Sequence, residues 1–290
     1  MILVELNGGL GNQLFQYAAG LSLALHHNVE LKVNTTSFSE PNAIVGTQRH
    51  FELGNFEYAP AVASKDEIDD FLNQSKLDNY FEKILPFYRR RIYKERRVSF
   101  DKNFYHSKKN IYLKGNRQSE KYFIRHSTYI REKLKFKGFV IEKVEKYGIA
   151  FRNTESVAIH IRRGDYLTDI AMDVLGLIPI DHYLKAFEYL SSQIQIQKAY
   201  IFSDDIEWAE KNLRLNVDTE YVSGKITSTS IEDFYLISQC KHQIIANSSF
   251  SWWAAWLNPN PNKIVIAPKK WFNNAPYDTK DLIPESWIKM

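Results

Sequence analysis

A short apolar run, residues 157–161 (Val-Ala-Ile-His-Ile), leads directly into two arginines, a glycine and an aspartate. Mostly β-branched residues in such a run predict a buried strand, and Gly164 predicts a turn at its end. Ligands of open α/β sheets bind beyond the carboxyl ends of the strands. The pattern therefore predicts that His160, Arg162 and Arg163 place positive charge at the ligand-binding edge of the sheet. Because guanidinium groups match phosphate oxygens, it predicts an anionic ligand such as a pyrophosphate.

The two ends of the chain alternate strand and helix. Residues 2–6 predict a strand, residues 7–12 a turn and residues 13–27 an amphipathic helix before a second strand, which is a βαβ start. The alternation resumes at residue 156 and continues to a last strand at residues 263–267. This order predicts an α/β fold with parallel sheets.

A length of 290 residues predicts two domains, and the natural boundary lies near residue 150. The predicted domains are therefore residues 1–150 and 151–290. Residues 37–150 show no interpretable motif, although helices are expected over residues 65–72 and 119–135.

A single cysteine, Cys240, excludes an intrachain disulfide and a multi-cysteine metal site. It lies in a helical pattern, so we expect a buried structural thiol in a protein of a reducing compartment. No window approaches 18 uninterrupted apolar residues, and the first strand starts at residue 2. We therefore expect neither a membrane span nor a signal peptide.

Positive charge is concentrated in the middle of the chain. Residues 83–143 carry 19 Lys and Arg against 5 Asp and Glu, a balance of +14, whereas the whole chain is +4. The tract is densest over Arg89–Arg97. An anionic membrane surface, an acidic substrate or nucleic acid could bind it, and a solvated face without a partner is the alternative. Since no nucleic-acid motif accompanies the charge, a weak membrane-surface or acidic-substrate role is favoured over nucleic acid.

Four polar segments each follow an apolar run and precede a helix or loop: Gly8–Asn12, His160–Asp165, Ser203–Asp205 and Asn247–Ser249. The four segments together are a more specific indication of a binding site than any one of them. In the second segment, residues two apart on a strand share a face, so Ala158, His160 and Arg162 lie together. Asp165 is expected to orient an arginine.

The first segment is a glycine-rich turn. Gly9 and Gly11 allow the backbone to approach a ligand closely, and Asn12 offers a donor and an acceptor to a sugar or phosphate. The spacing does not fit the dinucleotide fingerprint, because Leu14 stands where the third glycine belongs. A plain tight turn between strand and helix is the alternative.

The last two segments are also open to two interpretations. The Ser203-Asp204-Asp205 run is either a metal-binding acidic pair or a nucleoside site with one aspartate capping the next helix. Ser248, Ser249 and Phe250 open a helix whose hydroxyls and amides suit phosphate, unless Ser248 is only an N-cap. The tryptophans at 252, 253 and 256 are expected in the core.

Together these motifs resemble a known family. Residues 7–18, Asn-Gly-Gly-Leu-Gly-Asn-Gln-Leu-Phe-Gln-Tyr-Ala, are similar to the N-terminal signature of the α-1,2-fucosyltransferases, glycosyltransferase family 11. His160–Tyr166 resembles a motif that they share with α-1,6- and protein O-fucosyltransferases. Residues 202–205 and 247–253 resemble the later blocks of the family, in the expected order.

The resemblance implies a GT-B fold, in which two Rossmann-like domains face each other across a cleft. Residues 1–150 would form the acceptor-side domain and residues 151–290 the donor domain. L-Fucose would pass with inversion from GDP-β-L-fucose to the 2-hydroxyl of a β-linked galactose, without a metal or other cofactor. It further implies the cytoplasmic bacterial type, with lipid-linked glycans as acceptors and membrane contact through Arg89–Arg97.

The resemblance also assigns roles to residues. Arg162, Arg163 and His160 would hold the pyrophosphate, with Ser248, Ser249 and Phe250 at a phosphate. Ser203 and Asp204 would contact the nucleoside, and Asn12, with Gly9 and Gly11, would reach the donor from the opposite domain. Two alternatives stay open: a metal-dependent enzyme using Asp204 and Asp205, and a non-catalytic module binding acidic glycan or nucleic acid. The sequence does not identify a general base.

Overall fold

The computed structural model of the protein describes residues 1–39, 49–73, 75, 80, 82–274 and 277–290. The chain forms two compact units. One comprises Met1–Lys135 with Tyr277–Pro284, and the other Phe136–Pro276 with Glu285–Met290. The first boundary thus lies between residues 135 and 136 rather than near residue 150. Residues 136–153 belong to the second unit because Phe136 packs against Phe234 and Tyr235.

The first unit is a five-stranded parallel sheet with helices. Its described strands are β1 (Ile2–Glu5), β2 (Leu31–Asn34), β3 (Ala61–Val62), β4 (Ile92–Lys94) and β5 (Ile111–Lys114), in the spatial order β3-β2-β1-β5-β4. Its described α-helices are α1 (Leu10–His27), α2 (Lys65–Leu72) and α3 (Ser127–Lys133). The predicted βαβ start and the helix over residues 65–72 are confirmed.

Helix α1 begins at Leu10, three residues before the predicted start at residue 13. Gly8 alone reverses the chain, with φ +74°, a conformation that favours glycine. The Gly9 carbonyl then accepts hydrogen bonds from the amides of Asn12 and Gln13. Gly11 and Asn12 therefore lie in the first helical turn and not in the preceding turn.

The helix predicted over residues 119–135 is mostly absent. The segment instead forms 3₁₀ turns at Glu120–Tyr122 and Ile124–His126, and only α3 is α-helical. Tyr122 and Phe123 are both buried, at 2% and 0% exposure. Tyr122 packs against Phe104, whereas Phe123 packs against Phe15 of α1, so the tertiary packing of each ring outweighs the helical pattern of the segment.

The second unit is a six-stranded parallel sheet. Its described strands are β6 (Ser156–Ile161), β7 (Lys198–Ser203), β8 (Asp218–Tyr221), β9 (His242–Ile244), β10 (Val265–Ala267) and β11 (Ile288–Lys289), in the order β11-β10-β9-β6-β7-β8. Its described α-helices are α4 (Gly138–Ile141), α5 (Glu145–Asn153), α6 (Asp169–Val174), α7 (Ile180–Gln193), α8 (Ile206–Asn212), α9 (Ser230–Gln239) and α10 (Ser249–Leu257).

The face of β6 opposite His160 carries Val157, Ile159 and Ile161, which join a core cluster with Tyr183 and Leu190 of α7. The three tryptophans of α10 and Cys240 are buried, as predicted. Burial also raises the pKa of the Cys240 thiol, so it stays protonated. Within the described part of the chain, no helix combines the length and the apolar character needed to cross a bilayer.

Candidate anion-binding site

The carboxyl edge of the second sheet brings three of the four predicted polar segments together. Strands β9, β6 and β7 are direct neighbours, so the segments that follow them meet at one edge: Asn247–Ser249, Arg162–Asp165 and Ser203–Asp205. The fourth segment, Gly8–Asn12, follows β1 and lies at the corresponding edge of the first unit's sheet.

Arg162 is held between two carboxylates. Its Nε and Nη2 lie 2.9 and 2.7 Å from Oδ1 of Asp165, and its Nη1 lies 3.2 Å from Oδ2 of Asp204. Burial disfavours the guanidinium charge, but attraction to Asp204 and Asp165 outweighs it and raises the pKa of Arg162. Asp165 therefore orients an arginine, as predicted. A guanidinium has five N–H donors, and these contacts use three of them.

Arg163 has different partners. Its Nε lies 3.2 Å from Oδ2 of Asp205, and its guanidinium stacks 3.8 Å from the ring centroid of Trp208. Its backbone amide donates to Oδ1 of Asp204 at 2.8 Å. The two arginines are therefore not a parallel pair on one partner, because successive residues of an extended chain point to opposite sides.

His160 is almost fully buried, at 4% exposure, and its ring centroid lies 5.5 Å from that of Phe250. Burial, followed by the charge of Arg162, lowers the pKa of His160 to about 3. The imidazole is therefore neutral at pH 7 and adds no positive charge to the edge. Its Nδ1 is buried and has no hydrogen-bond partner among the described residues, so one polar atom of this ring is unsatisfied within the protein.

The acidic pair is built into the local structure. Asp205 is the N-cap of α8, where its Oδ1 accepts from the amide of Trp208 at 3.3 Å. This confirms the prediction that one aspartate caps the next helix. Asp204 links Arg162 to the backbone of Arg163, and Ser203 accepts from the amide of Asp205 at 3.0 Å. Both carboxylates therefore already have cationic partners.

In the described ranges, no three His, Cys, Asp or Glu side chains are grouped so that they could hold a metal ion. The residues that the metal-dependent alternative requires, Asp204 and Asp205, contact Arg162 and Arg163 instead. This arrangement does not fit a two-carboxylate cation site, because each guanidinium occupies the place that a cation would take.

Helix α10 starts at this edge. Ser248 is its N-cap residue and is 5% exposed, but its side chain makes no capping hydrogen bond. The N-cap alternative therefore does not explain the Ser248 hydroxyl. The first turn, with Ser249 and Phe250, leaves backbone N–H groups that suit an anion.

Asn247 ties two loops to the start of α10, a role that its place in the last polar segment did not indicate. Its Nδ2 donates to the carbonyls of Leu175, Gly176 and Trp271, at 2.9, 3.3 and 3.1 Å. The Tyr166 hydroxyl donates to the Asn247 carbonyl at 3.0 Å. An asparagine directly after an apolar strand was the available signal, but its loop partners are far away in sequence.

The sequence analysis did not indicate Asp233 of α9. Its carboxylate accepts from the hydroxyls of Ser223, at 2.7 Å, and Thr227, at 2.5 Å, while Ser223 accepts from the amide of Ser203. Burial raises the pKa of Asp233 to about 6 despite these two hydrogen bonds. The carboxylate thus fixes the loop after β8 next to the end of β7.

In the first unit, the glycine-rich turn lies against Arg49. A Cβ on Gly9 would lie 3.5 Å from Nη1 of Arg49. Asn12 accepts from Nε2 of Gln118 at 2.8 Å, and Gln13 donates to the carbonyls of Gly8 and His50. Arg49 is a further candidate residue that no sequence motif indicated.

Two α/β units with parallel sheets and a polar, arginine-containing strand edge define a GT-B type of glycosyltransferase fold. The solved structure of fucosyltransferase NodZ from Bradyrhizobium has this fold: it matches with a TM-score of 0.52 at 13% identity, covering 89% of this chain and 92% of its own. The family model "Glycosyl transferase family 11" matches residues 1–290, and the chain belongs to that family.

Two full-length relatives come from Escherichia coli. An "Alpha-1,2-colitosyltransferase" is 32% identical, with 100% of this chain and 99% of the relative covered. An "O-antigen biosynthesis glycosyltransferase WbnK" is also 32% identical, covering 98% and 99%. The chain is thus a family 11 glycosyltransferase over its whole length.

Proposed function

We propose that this protein transfers L-fucose, with inversion, from GDP-β-L-fucose to the 2-hydroxyl of a β-linked galactose in a surface-glycan precursor. Family membership and two relatives named for α-1,2-colitosyl transfer and O-antigen biosynthesis support this proposal. The four motifs of the α-1,2-fucosyltransferases support the sugar and the linkage.

The observation that carries the proposal is that Arg162, held by two carboxylates, lies at the same sheet edge as the first turn of α10. Fucosyl transfer breaks the bond between the anomeric carbon and phosphate, so negative charge develops on the departing GDP. Donors that are oriented beforehand stabilise that charge without reorganising. Arg162 is oriented by Asp165 and Asp204 and keeps two N–H groups beyond its contacts with these two carboxylates.

We propose modified roles for the other residues. Arg162, the α10 amides at Ser248–Phe250 and the neutral His160 are proposed to contact the diphosphate. Arg163 is a positioning residue, since its contacts with Asp205 and Trp208 fix the start of α8. Ser203 and Asp204 are proposed to lie beside the nucleoside, and Gly9, Gly11 and Asn12 remain proposed donor contacts from the first unit.

We assign no step of the transfer reaction to a metal ion or to a general base. The ion pairs of Asp204 and Asp205 support charge stabilisation by arginine rather than by a divalent cation. Asp165 is committed to Arg162, so we propose that bond cleavage runs ahead of attack and that no strong base is required. Activity that disappears with EDTA and returns with Mn²⁺ would support the metal-dependent alternative instead.

The relative named for colitosyl transfer favours a second donor. Colitose differs from L-fucose in lacking the 3-hydroxyl, so both GDP sugars present the same diphosphate to Arg162. Incubation with each GDP sugar and a panel of β-galactosides, followed by NMR of the product, tests donor and linkage together. An α-1,2-fucosyl product is expected. Consumption of neither GDP sugar, or binding of acidic glycan or nucleic acid without turnover, would refute the proposal.

We also propose peripheral contact with an anionic membrane surface, in the cytoplasm, through the tract Arg89–Arg97. Part of the tract is structural: Arg90 donates to the carbonyls of Leu85 and Lys83, and Arg96 stacks on Phe87. Besides Arg96, which is also exposed, the exposed cations of the tract are Arg89, Lys94 and Arg97. Replacing these three by glutamine should abolish salt-sensitive binding to anionic vesicles; unchanged binding would contradict the assignment.

A further inference from the structure

Helix α1 carries a fully buried glutamine that organises two other amides. Gln16 is 1% exposed. Its Oε1 accepts from the backbone amide of Asn7, and its Nε2 donates to Oδ1 of both Asn7 and Asn116, each at 3.0 Å. Burying an amide is costly unless it is hydrogen-bonded, and here both ends of Gln16 are bonded.

These bonds fix which way the two asparagines are oriented. Both Oδ1 atoms are used internally, so the amino groups are the free ends. Among the residues that the structure describes, no hydrogen bond engages Nδ2 of Asn7 or Asn116, and both side chains are half-buried. Gln16 therefore presents two oriented NH₂ groups, one beyond β1 and one beyond β5.

The strand ends beneath these amides are polar but balanced in charge. Glu5 and Lys114, the last residues of β1 and β5, pair at 2.8 Å, and Glu5 also accepts from the Tyr112 hydroxyl at 3.2 Å. Amides and a neutralised carboxylate offer directional hydrogen bonds without net charge. That chemistry suits the hydroxyls of a neutral sugar, whereas the arginine-containing edge of the second unit suits a diphosphate.

We propose that Asn7 and Asn116, oriented by Gln16 beside the Glu5–Lys114 pair, bind the hydroxyls of the neutral acceptor hexose. This inference rests on the proposed function, which supplies the need for an acceptor sugar. The edge is the carboxyl end of a parallel sheet, where open α/β folds bind ligands. The donors for the sugar and for the diphosphate thus lie in different units of the chain.

The first test replaces one free amide. Asn116→Ala should raise the KM for lactose or methyl β-D-galactoside about five- to tenfold, the size expected for one neutral hydrogen bond. GDP affinity by calorimetry and hydrolysis of GDP-fucose without acceptor should stay unchanged. Asn212→Ala is the matched control, since Asn212 is an exposed amide of α8 in the second unit.

The second test removes the bonds that orient the amides. In Gln16→Glu, an ionised carboxylate can only accept and a protonated one can donate a single hydrogen bond, so at least one of Asn7 and Asn116 loses the bond that orients its amino group. With thermal unfolding as a check on folding, the acceptor KM should rise at least as much as in Asn116→Ala. An unchanged acceptor KM in both folded variants would overturn the inference. Wild-type protein that neither binds GDP nor hydrolyses GDP-fucose would instead refute the proposed function.

Discussion

At the scale of single residues, neighbours in sequence have different tasks. Arg162 and Arg163 follow one strand, yet the first is clamped by Asp165 and Asp204 and the second by Asp205 and Trp208. His160 shares the predicted face but is neutral. Residue types therefore indicated an anionic ligand, whereas the individual roles depend on one near neighbour, Asp165, and on partners more than 40 positions away along the chain.

This division predicts different outcomes for the two arginines. Arg162→Ala should lower kcat by about two to three orders of magnitude, as expected when a transition-state charge loses one fixed donor. Arg163→Lys, which loses the planar stacking on Trp208, should mainly lower thermal stability. Steady-state kinetics and thermal unfolding separate the two effects. Near-normal turnover in folded Arg162→Ala would contradict the role given to this residue.

Gly164 is predicted to be intolerant of a side chain. A Cβ there would lie 2.6 Å from Oδ2 of Asp204, which is the oxygen that contacts Arg162. Gly164→Ala should therefore displace the carboxylate and reduce GDP affinity, measured by calorimetry. Gly138→Ala is the control, because no atom lies within 4 Å of its Cβ position. Equal GDP affinities in the two variants would show that GDP binding does not depend on the position of the Asp204 carboxylate.

At the scale of elements, the alternation of apolar and polar residues predicted the buried face of a strand. Local signals did not predict where the helices begin and end. The alternation along β6 correctly predicted that Val157, Ile159 and Ile161 share a core face, and ligand binding at the opposite face stays a prediction. The helix expected over residues 119–135 was wrong, since Tyr122 and Phe123 pack against different parts of the first unit and the segment follows these contacts. The start of α1 was also wrong, because the turn needs only Gly8 in the left-handed region.

The link between α9 and the loop after β8 predicts a pH effect on stability. The folded pKa of Asp233, about 6, exceeds its ordinary value of 3.8. Folding therefore favours the protonated form of Asp233. The stability that this proton contributes is lost as the pH rises from about 4 through about 6. Relative to Asp233→Asn, the wild type should lose about 3 kcal/mol of unfolding free energy over this range. Urea unfolding at several pH values measures the difference, and a constant difference would contradict the shift.

At the scale of the whole molecule, the α/β class and the presence of two units followed from length and alternation. The bounds of the two units could not be predicted in this way, because residues 277–284 belong to the first unit although they follow most of the second unit in sequence. Asp281 anchors this return: it accepts from Lys121 Nζ at 2.7 Å and from the Phe100 amide at 3.0 Å. No local pattern could have predicted partners some 160–180 positions away.

The anchor predicts a measurable stability difference between two nearby aspartates. Asp281→Ala leaves the Phe100 amide and the Lys121 ammonium without this partner, so unfolding free energy should fall by about 1–3 kcal/mol. It should also expose the segment 277–284 to limited proteolysis. Asp278→Ala removes an exposed ion pair with Lys280, a hydrogen bond from the Lys280 amide at 3.3 Å and one with Ser99, so it should change stability less than Asp281→Ala does. Equal stabilities of the two variants would exclude the anchor.

Because the chain passes between the units at residues 135/136, 276/277 and 284/285, neither unit is one continuous stretch. No single cut can yield two intact halves: the first would lack its last eight residues, and the second would carry them as a stray insertion. Exchange of a whole unit with a relative therefore requires a hybrid gene with three junctions. A swap at one junction would leave Asp281 facing a surface that it did not evolve to fit.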